Sequence, residues 1–387
     1  MTPQSLNILG LFLYKEIRTG GHRRYLELME GLAAKGNTVH ILVNPALQYP
    51  FTHSKQIPIP VQYTHGQKYP VSWVFRKAVA QNFERIRSEV PHPDWILIFS
   101  ETNLAAGSFL KKAFSCRLLY GHRSNTVQEA RLFLEESKGK PIKQLKYFFD
   151  LLKYKAYERK IAKVADAIVF QSNYDRSDFL SRNPQAEGKS HIIGGHIGPP
   201  RFTPETAQIN QSTQLRRLLF IGTTGPRKGL KYLLEALVIL KEEHGITDLT
   251  LDVVGPGETK EHIDYLIQHG LADKVRFHGR VADPFPFYRD CDLLVVPSVF
   301  DSYPNTILEA LHTGIPVIAS SVGGIPEMLG ETELLFTPFD SRAISEKLYI
   351  AHLSIDYYKN CKTLCSKRLV FFHFDWWQKW TTVLFSF

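Results

Sequence analysis

The chain has 387 residues, of which 44% are apolar and 22% charged, a composition typical of globular proteins and a length sufficient for two domains. No run approaches the roughly 20 apolar residues of a membrane-spanning helix, and the apolar start from Leu6 to Tyr14 lacks the basic leader of a signal peptide. Four cysteines without a zinc-type spacing favour free thiols in a reducing cytoplasm.

Charge is distributed unevenly along the chain. Residues 1–199 carry 28 Lys and Arg against 16 Asp and Glu, a net +12, whereas residues 200–387 carry 19 against 22. This asymmetry predicts an anionic partner for the first half. A phospholipid surface, an acidic acceptor and nucleic acid are all compatible with it. Nucleic acid ranks last, and we expect none, because no nucleic-acid-binding motif is present.

The chain opens with an alternation of strands and helices. A strand from Leu6 to Leu13 is followed by Gly20 and Gly21, a helix to about Lys35, and a strand from Thr38 to Val43. Such an order predicts a parallel sheet whose ligand edge lies at the C-terminal ends of its strands. The paired glycines let a ligand approach the backbone closely, or else they only serve a turn with unusual dihedrals. A Gly-x-Gly-x-x-Gly pattern is absent, so a nicotinamide cofactor is not expected.

His122 follows a predicted strand that begins at Arg117. It therefore lies at a strand end, where open parallel sheets carry their chemistry. The alternative is a structural histidine whose nitrogens bind backbone groups. Arg123 comes next and would serve an anionic group or the protein surface.

Residues 138–163 form the most basic segment, with nine lysines and arginines interleaved with aromatic and aliphatic residues. An amphipathic basic helix of this kind lies on an anionic membrane. An ordinary long helix, with its apolar side in the core and its lysines in water, has the same pattern. The sequence leaves both interpretations open.

The second half opens with a strand from Leu218 to Ile221, a loop of small residues ending at Gly229, and a helix start. A strand that meets such a loop and a helix N-terminus is a phosphate site by geometry. Lys228 supplies a mobile point charge and Arg227 a planar fork. In the alternative interpretation Lys228 is an exposed lysine at a helix start. The order of residues is not that of a P-loop.

Two carboxylates bracket another helix start. An apolar strand from Leu293 to Val296 leads into a loop that holds Asp301, and a helix with Glu309 on its predicted polar face begins at Asn305. The amides of Asn305 and Thr306 and the helix dipole attract anions. This arrangement suits a sugar attached to a nucleoside diphosphate. Otherwise Asp301 is a loop residue and Glu309 a solvated helix residue.

This stretch resembles the donor-site signature of the retaining GT-B glycosyltransferases of the glycogen-synthase and mannosyltransferase-like family, family 4. The positions that match are Asp301, Glu309, Ala310, Gly314, Pro316, Val317, Gly323, Gly324 and Glu327. The sequence departs from the pattern at three positions. Asp301 replaces the usual Glu, Pro304 stands where many members have Gly, and Thr223 stands where an Arg usually precedes the loop lysine.

The resemblance implies an α/β fold of the GT-B type, with two Rossmann-like parallel-sheet domains that face each other across a cleft. We expect an acceptor-side domain at residues 1–199 and a nucleotide-sugar-binding domain at residues 200–355. Residues 356–387 would form a helix that packs back on the first domain.

The resemblance also implies roles for individual residues. Lys228 and Arg227 would grip the donor diphosphate together with the amides of Asn305 and Thr306. Asp301 would hold sugar hydroxyls, and Glu309 the ribose. The remaining candidates face the donor (Gly20 and Gly21), lie on the sugar or acceptor side (His122), or border the nucleoside (Gly255 and Arg280). Within this set, the predicted catalytic residues are His122, Lys228 and Asp301.

The implied activity is that of a retaining hexosyltransferase, which moves a sugar from a nucleotide-sugar to an acceptor hydroxyl. We expect a glycan or lipid-linked acceptor in cell-surface polysaccharide or lipid-linked glycan synthesis, no cofactor and no metal. The expected location is the cytoplasm, with peripheral contact to an anionic membrane through the basic first domain. Two alternatives stay open: a catalytically idle GT-B assembly partner, suggested by the three departures, and a GT-B nucleotide-sugar epimerase.

Overall fold

The computed structural model describes residues 5–63, 70–199, 201–257, 259–330 and 332–387. It divides into two compact units. The first runs up to Ile193 and includes Asp375–Phe387, and the second is Gly194–Phe374. Pro200, where we predicted the second domain to begin, lies outside the described residues, and the change of unit comes at Gly194.

The first unit is built on a parallel sheet of seven described strands in the order β3-β2-β1-β4-β5-β6-β7. These strands are β1 (Asn7–Phe12), β2 (Thr38–Val43), β3 (Lys55–Pro58), β4 (Trp95–Ile98), β5 (Arg117–His122), β6 (Ala167–Phe170) and β7 (Ser190–Ile192). Central strands such as β4 are buried at every position, as expected for a sheet with both faces covered.

Helices connect these strands. They are α1 (Gly20–Ala34), α2 (Val71–Gln81), α3 (Phe83–Glu89), α4 (Glu101–Phe114), α5 (Thr126–Glu136), α6 (Pro141–Val164) and α7 (Asn173–Arg182). Side-chain caps define several starts: the Thr19 hydroxyl accepts from the His22 amide at α1, and the Asn125 side chain accepts from the Gln128 amide at α5.

The second unit has a parallel sheet of six described strands in the order β10-β9-β8-β11-β12-β13. The strands are β8 (Arg217–Ile221), β9 (Thr250–Val254), β10 (Val275–Gly279), β11 (Leu293–Val296), β12 (Val317–Ser320) and β13 (Leu335–Phe336). The helices are α8 (Leu230–His244), α9 (Lys260–Gln268), α10 (Phe285–Asp290), α11 (Asn305–Thr313), α12 (Ile325–Leu329), α13 (Ser341–Leu353) and α14 (Ile355–Leu369). The strand order reverses between β8 and β11, and ligands of open parallel sheets bind at such switch points.

The C-terminal segment is shared between the two units. The last helix, α15 (Trp376–Phe385), belongs to the first unit, where the Trp95 indole donates to the Leu384 carbonyl at 3.1 Å. A Cβ at Gly31 would lie 1.6 Å from the Trp377 ring, so only glycine permits this approach. By contrast, α14 belongs to the second unit, where it buries Tyr358, whose hydroxyl donates to the Asp292 carbonyl. The segment predicted to pack on the first domain, 356–387, does so only from Asp375 onward.

Candidate functional site

A loop of small residues after β8 is packed against the end of β11. Its short 3-10 turn, Pro226–Lys228, ends at Gly229, which has φ +69°. A Cβ at Gly229 would lie 1.9 Å from the Pro297 carbonyl oxygen. The Val299 amide donates to the Arg227 carbonyl at 2.9 Å. Glycine is therefore required at this contact, which brings the two predicted basic residues to the loop after β11.

Arg227 and Lys228 both lie beside Asp301. The Lys228 Nζ is 2.5 Å and the Arg227 Nη1 3.5 Å from Oδ2 of Asp301, and Arg227 also donates to the Phe300 carbonyl. Burial alone would raise the pKa of Asp301, but the charges of Lys228 and Arg227 outweigh it and hold that pKa below its usual value. Two cations thus share one ionised carboxylate, and the structure brings together three of the predicted site residues.

The glycine pair at 323–324 fixes the backbone of Asp301. Gly323 has φ +55°, and a Cβ there would lie 2.0 Å from the Asp301 carbonyl oxygen. The amide of Gly324 donates to the same oxygen at 3.2 Å. The Gly-Gly part of the signature therefore has a physical reason, because larger residues would displace the loop that carries the carboxylate.

Helix α11 begins four residues after Asp301. Pro304 precedes its first residue, and Asn305 and Thr306 are only partly buried. The amides of a first helical turn have no acceptors within the helix, and the dipole makes this end positive. The paired charges and the helix start therefore belong to one loop, as the sequence predicted.

Glu309 does not lie on a solvated face. It is buried, forms an ion pair with Arg201 through Oε1, and accepts a hydrogen bond from the Tyr288 hydroxyl at 2.5 Å through Oε2. The prediction of a polar helix face was wrong because α11 is buried on all sides from Ile307 to Thr313. Sequence reasoning missed both partners. Arg201 directly follows the predicted domain boundary, and spacing gives no signal for a pair 108 residues apart.

Gly255 and Arg280 are the remaining predicted residues of the second unit, and they differ in how they relate to the Asp301 cluster. Gly255 has φ +137°, and a Cβ there would lie 1.9 Å from the Gly222 carbonyl oxygen, so it supports the loop that precedes Lys228. Arg280 is exposed after β10, the outer strand of the sheet. Among the described residues, the charged contacts of the Asp301 cluster do not include it.

His122 is buried at the end of β5 in the first unit. Its ring packs against Phe170 at 4.9 Å and Phe179 at 5.7 Å. Burial, reinforced by the positive charge of Arg182, lowers its pKa to about 4, so the imidazole is neutral at pH 7. Its Nδ1 has no hydrogen-bond partner among the described residues. Both a role on the sugar or acceptor side and a structural role stay predictions for this residue.

Two other features of the first unit bear on the predictions. Gly20 and Gly21 form the first residues of α1 and do not adopt positive φ, which does not support the turn with unusual dihedrals. Burial and the nearby charge of Arg24 lower the pKa of Arg123 to about 9, which leaves its guanidinium protonated at neutral pH. Within the described ranges, no group of three or more His, Cys, Asp or Glu side chains is arranged to hold a metal ion.

Comparison with known proteins agrees with this geometry. Residues 216–351, which include the loop after β8, Asp301 and α11, match the family model described as glycosyl transferases group 1. The chain carries a group 1 glycosyl transferase domain. The resemblance found in the sequence is thereby confirmed, and the signature residues lie within the matched region.

Among the curated relatives of this glycosyl transferase domain is the D-inositol 3-phosphate glycosyltransferase of Arthrobacter sp. (strain FB24). It is 28% identical over 67% of this chain and 62% of its own length. The alignments span between 29% and 62% of the length of the first three curated relatives. The similarity thus identifies the domain and leaves the activity of the whole chain to be tested.

Solved structures share the fold over nearly the whole chain. Sucrose-phosphate synthase from Thermosynechococcus elongatus has a TM-score of 0.77 at 19% identity, covering 98% of this chain and 96% of its own. The Anabaena protein HepE, solved in complex with UDP and glucose, has a TM-score of 0.73 at 17% identity, covering 99% of this chain and 100% of its own. The fold is therefore of the GT-B type, as predicted.

Proposed function

We propose that the protein is a retaining glycosyltransferase that moves a hexose from a nucleotide-sugar to an acceptor hydroxyl. The observation that carries the proposal is the cluster at the β8–β11 switch point, where Lys228 and Arg227 share the single carboxylate of Asp301 beside the start of α11. Two cations that meet beside a helix start, at the switch point of the sheet, suit an anion such as a diphosphate.

The proposed chemistry stabilises the leaving group. As the bond between sugar and phosphate breaks, charge develops on the departing diphosphate. Lys228, Arg227 and the first-turn amides of Asn305 and Thr306 would meet that charge. Lys228 would then bridge the phosphate and Asp301, which is left with a lone pair for a sugar hydroxyl. No metal is needed in this scheme.

The family resemblance implies that the anomeric configuration is retained. The chemical route to retention depends on which group attacks the sugar. Retaining glycosidases use a carboxylate nucleophile paired with an acid/base. Asp301 is a poor nucleophile, because Lys228 and Arg227 lower its pKa and occupy its Oδ2. We therefore favour a route in which the acceptor attacks on the face that the diphosphate leaves. His122, whose low pKa keeps it neutral, would act on the sugar or acceptor side as a hydrogen-bonding group.

The nature of donor and acceptor is proposed by analogy. HepE was solved with UDP and glucose, and the Arthrobacter relative is named for an inositol phosphate acceptor. We propose a glycan or lipid-linked acceptor and a role in polysaccharide or lipid-linked glycan synthesis. A cytoplasmic location stays a prediction.

A thermal-shift screen followed by a transfer assay tests the proposal. UDP, GDP and ADP and their sugars are compared, because a ligand that binds the native state raises the melting temperature. A donor that stabilises the protein is then incubated with lipid extracts, and the anomeric configuration of the product is determined by NMR. Binding without transfer or hydrolysis would favour the assembly-partner alternative, and an epimer formed from the donor alone would favour the epimerase.

The exposed face of α6 is the proposed membrane contact of the first unit. Ile142, Leu145, Phe149 and Leu152 are exposed, and their spacing of three, four and three residues places them on one stripe of the helix. Lysines at 138, 140, 143 and 146 lie at the same end. Ile142 is 86% exposed, so this stripe is not the core-facing side of the helix. Among the described residues, no helix is both long and apolar enough to cross a membrane.

Vesicle sedimentation tests this contact. We expect the protein to bind vesicles of phosphatidylglycerol and phosphatidylcholine, and to bind pure phosphatidylcholine much less, because each lysine near an anionic surface contributes about 1 kcal/mol. The double variant Leu145→Glu/Phe149→Glu should lose binding. Ile267→Glu, an equally exposed apolar residue of the second unit, is the matched control. Equal binding of the double variant and the control would refute the contact.

A further inference from the structure

The segment after Pro200, which follows the predicted domain boundary, is bound along α11. Phe202 is buried with its ring 5.1 Å from that of His312. Nε2 of His312 lies 3.0 Å from the Thr203 carbonyl and 2.8 Å from the Thr206 hydroxyl. The amides of Gln208 and Asn210 donate to carbonyls of His312 and Thr313 in the last turn. This strap, residues 201–210, fixes the place of its first residue, Arg201.

Arg201 contacts Glu309, the carboxylate to which the family resemblance gives the ribose. Its guanidinium pairs with Oε1 of Glu309, while Tyr288 donates to Oε2. Exposure increases outward through this stack: the Tyr288 residue is fully buried, the Glu309 side chain is 2% exposed, and the Arg201 side chain is 13% exposed. A carboxylate oxygen can accept two hydrogen bonds, and each of these contacts uses one, so each oxygen of Glu309 keeps one lone pair for a further donor.

A buried carboxylate needs a nearby cation and fixed hydrogen-bond donors. Without a cation, burial disfavours its charged form, and a protonated Glu309 would offer a ribose one acceptor fewer. Without a fixed donor on each oxygen, its orientation would also vary. Both conditions are met here by a residue of the strap and a residue of α10, neither of which belongs to the signature motif.

We infer that Arg201 is a positioning residue for nucleoside binding: anchored by the strap, it holds Glu309 ionised and oriented so that the remaining lone pairs accept the ribose hydroxyls. This inference rests on the proposed function. The strap thereby has a role in ligand selection. It supplies Arg201, which acts through Glu309 on the ribose, and the diphosphate contacts stay unchanged.

The test compares ligands that differ only in the ribose hydroxyls. Affinities for UDP, GDP and ADP and for their 2′,3′-dideoxy forms are measured by calorimetry on the full chain. For wild type we expect the ribose form of the bound nucleotide to bind about 10- to 100-fold more tightly than its dideoxy form, the scale of hydrogen bonds to a charged group. In Arg201→Met this ratio should fall toward one, while affinity for the dideoxy form stays unchanged.

Three further variants separate positioning from a merely structural role. Arg201→Lys should restore part of the ratio, because it returns a charge without the fork. The double variant Arg201→Met/Glu309→Gln should show the same ratio as Arg201→Met alone, and it removes the unpaired buried charge that could unfold the single variant. Arg342→Met, at an exposed arginine of the second unit, should behave as wild type.

A ratio that Arg201→Met leaves unchanged or increases would overturn the inference, as would an equal loss for ribose and dideoxy forms. Failure of the proposed function appears differently, since wild type would then bind none of the three nucleoside diphosphates.

Discussion

Each unit contains a cluster of charges that are largely shielded from water, and the two clusters are composed in opposite ways. In the first unit Arg182 lies between two carboxylates, 2.7 Å from Glu158 and 2.6 Å from Asp178. In the second unit Lys228 and Arg227 both contact Asp301. The first cluster places one arginine between two carboxylates and is suited to hold helices together. The second brings two cations to one carboxylate next to the start of α11, which is suited to an anionic ligand.

The comparison also shows what net charge does not reveal. The first half of the chain carries the excess of +12, yet Arg182, an arginine largely shielded from water, contacts two carboxylates there. Lys228 and Arg227, which meet at the proposed anion site, lie in the half whose net charge is −3. Local pairing, more than the total, therefore indicates where a phosphate would bind.

The largest expected effect is that of Lys228→Ala. Because it removes a cation that would stabilise the leaving diphosphate, turnover should fall about 10²- to 10³-fold. Steady-state transfer rates measure this. Lys231→Ala, at a largely exposed lysine in the first turn of α8, should retain full activity. A near-normal transfer rate of the Lys228 variant would contradict its proposed role in stabilising the leaving diphosphate.

Arg182→Met should act on stability. It leaves the buried carboxylate of Glu158 without its cation, and breaking a buried pair in this way costs about 3 kcal/mol. Urea unfolding of the variant is the measurement, with Arg159→Met at an exposed position of α6 as a control expected within about 0.5 kcal/mol of wild type. If both variants unfold at the wild-type midpoint, the cluster of the first unit is not structural.

Gly229→Ala tests the contact that brings the basic loop to β11. The positive φ and the approach of the Pro297 carbonyl to 1.9 Å from a Cβ predict a loss of about 2 kcal/mol or more in the free energy of unfolding. Gly225→Ala, in the same loop with φ −67° and open space around its Cβ, should be neutral. Equal unfolding midpoints for the two variants would contradict the contact.

The smallest effect concerns His122 and appears only in acid. Its native pKa of about 4 lies below the unfolded value of about 6.5, so between these values the unfolded chain binds a proton that the native chain does not. The contribution of neutral His122 to the free energy of unfolding is therefore fully present well above pH 6.5. It falls as the pH drops, and about 2 kcal/mol is lost at pH 5. The urea midpoint is measured at pH 7.5 and at pH 5. His122→Phe should reduce the difference between the two midpoints by the part that protonation of His122 causes. An unchanged difference would mean that the imidazole titrates normally.

The sequence predicted the parts of this protein that depend on local pattern. Strands such as Thr38–Val43 and Leu293–Val296 have the predicted bounds, and the residues Arg227, Lys228 and Asp301 do meet. Strand order and loop chemistry suffice for this, because parallel strands bring their C-terminal ends to one edge.

What the sequence could not predict depends on contacts between distant segments. Helical spacing gave Glu309 a solvent-facing side, but the strap from residue 201 covers that side of α11. The pairing of Arg201 with Glu309 depends on where the strap lies, and no periodicity specifies this.

The shared C-terminal segment has a consequence for biosynthesis. The indole of Trp95 donates to Leu384, and Trp376 and Trp380 are buried in the first unit, so that unit lacks part of its core until residues 376–384 have been translated. About 180 residues separate Ile193 from Asp375. At about 5–20 residues per second, the ribosome needs roughly 10 to 40 s to cross that interval. The first unit is thus completed only after the second has been translated, and during that interval the apolar side chains that α15 covers would be accessible to chaperones.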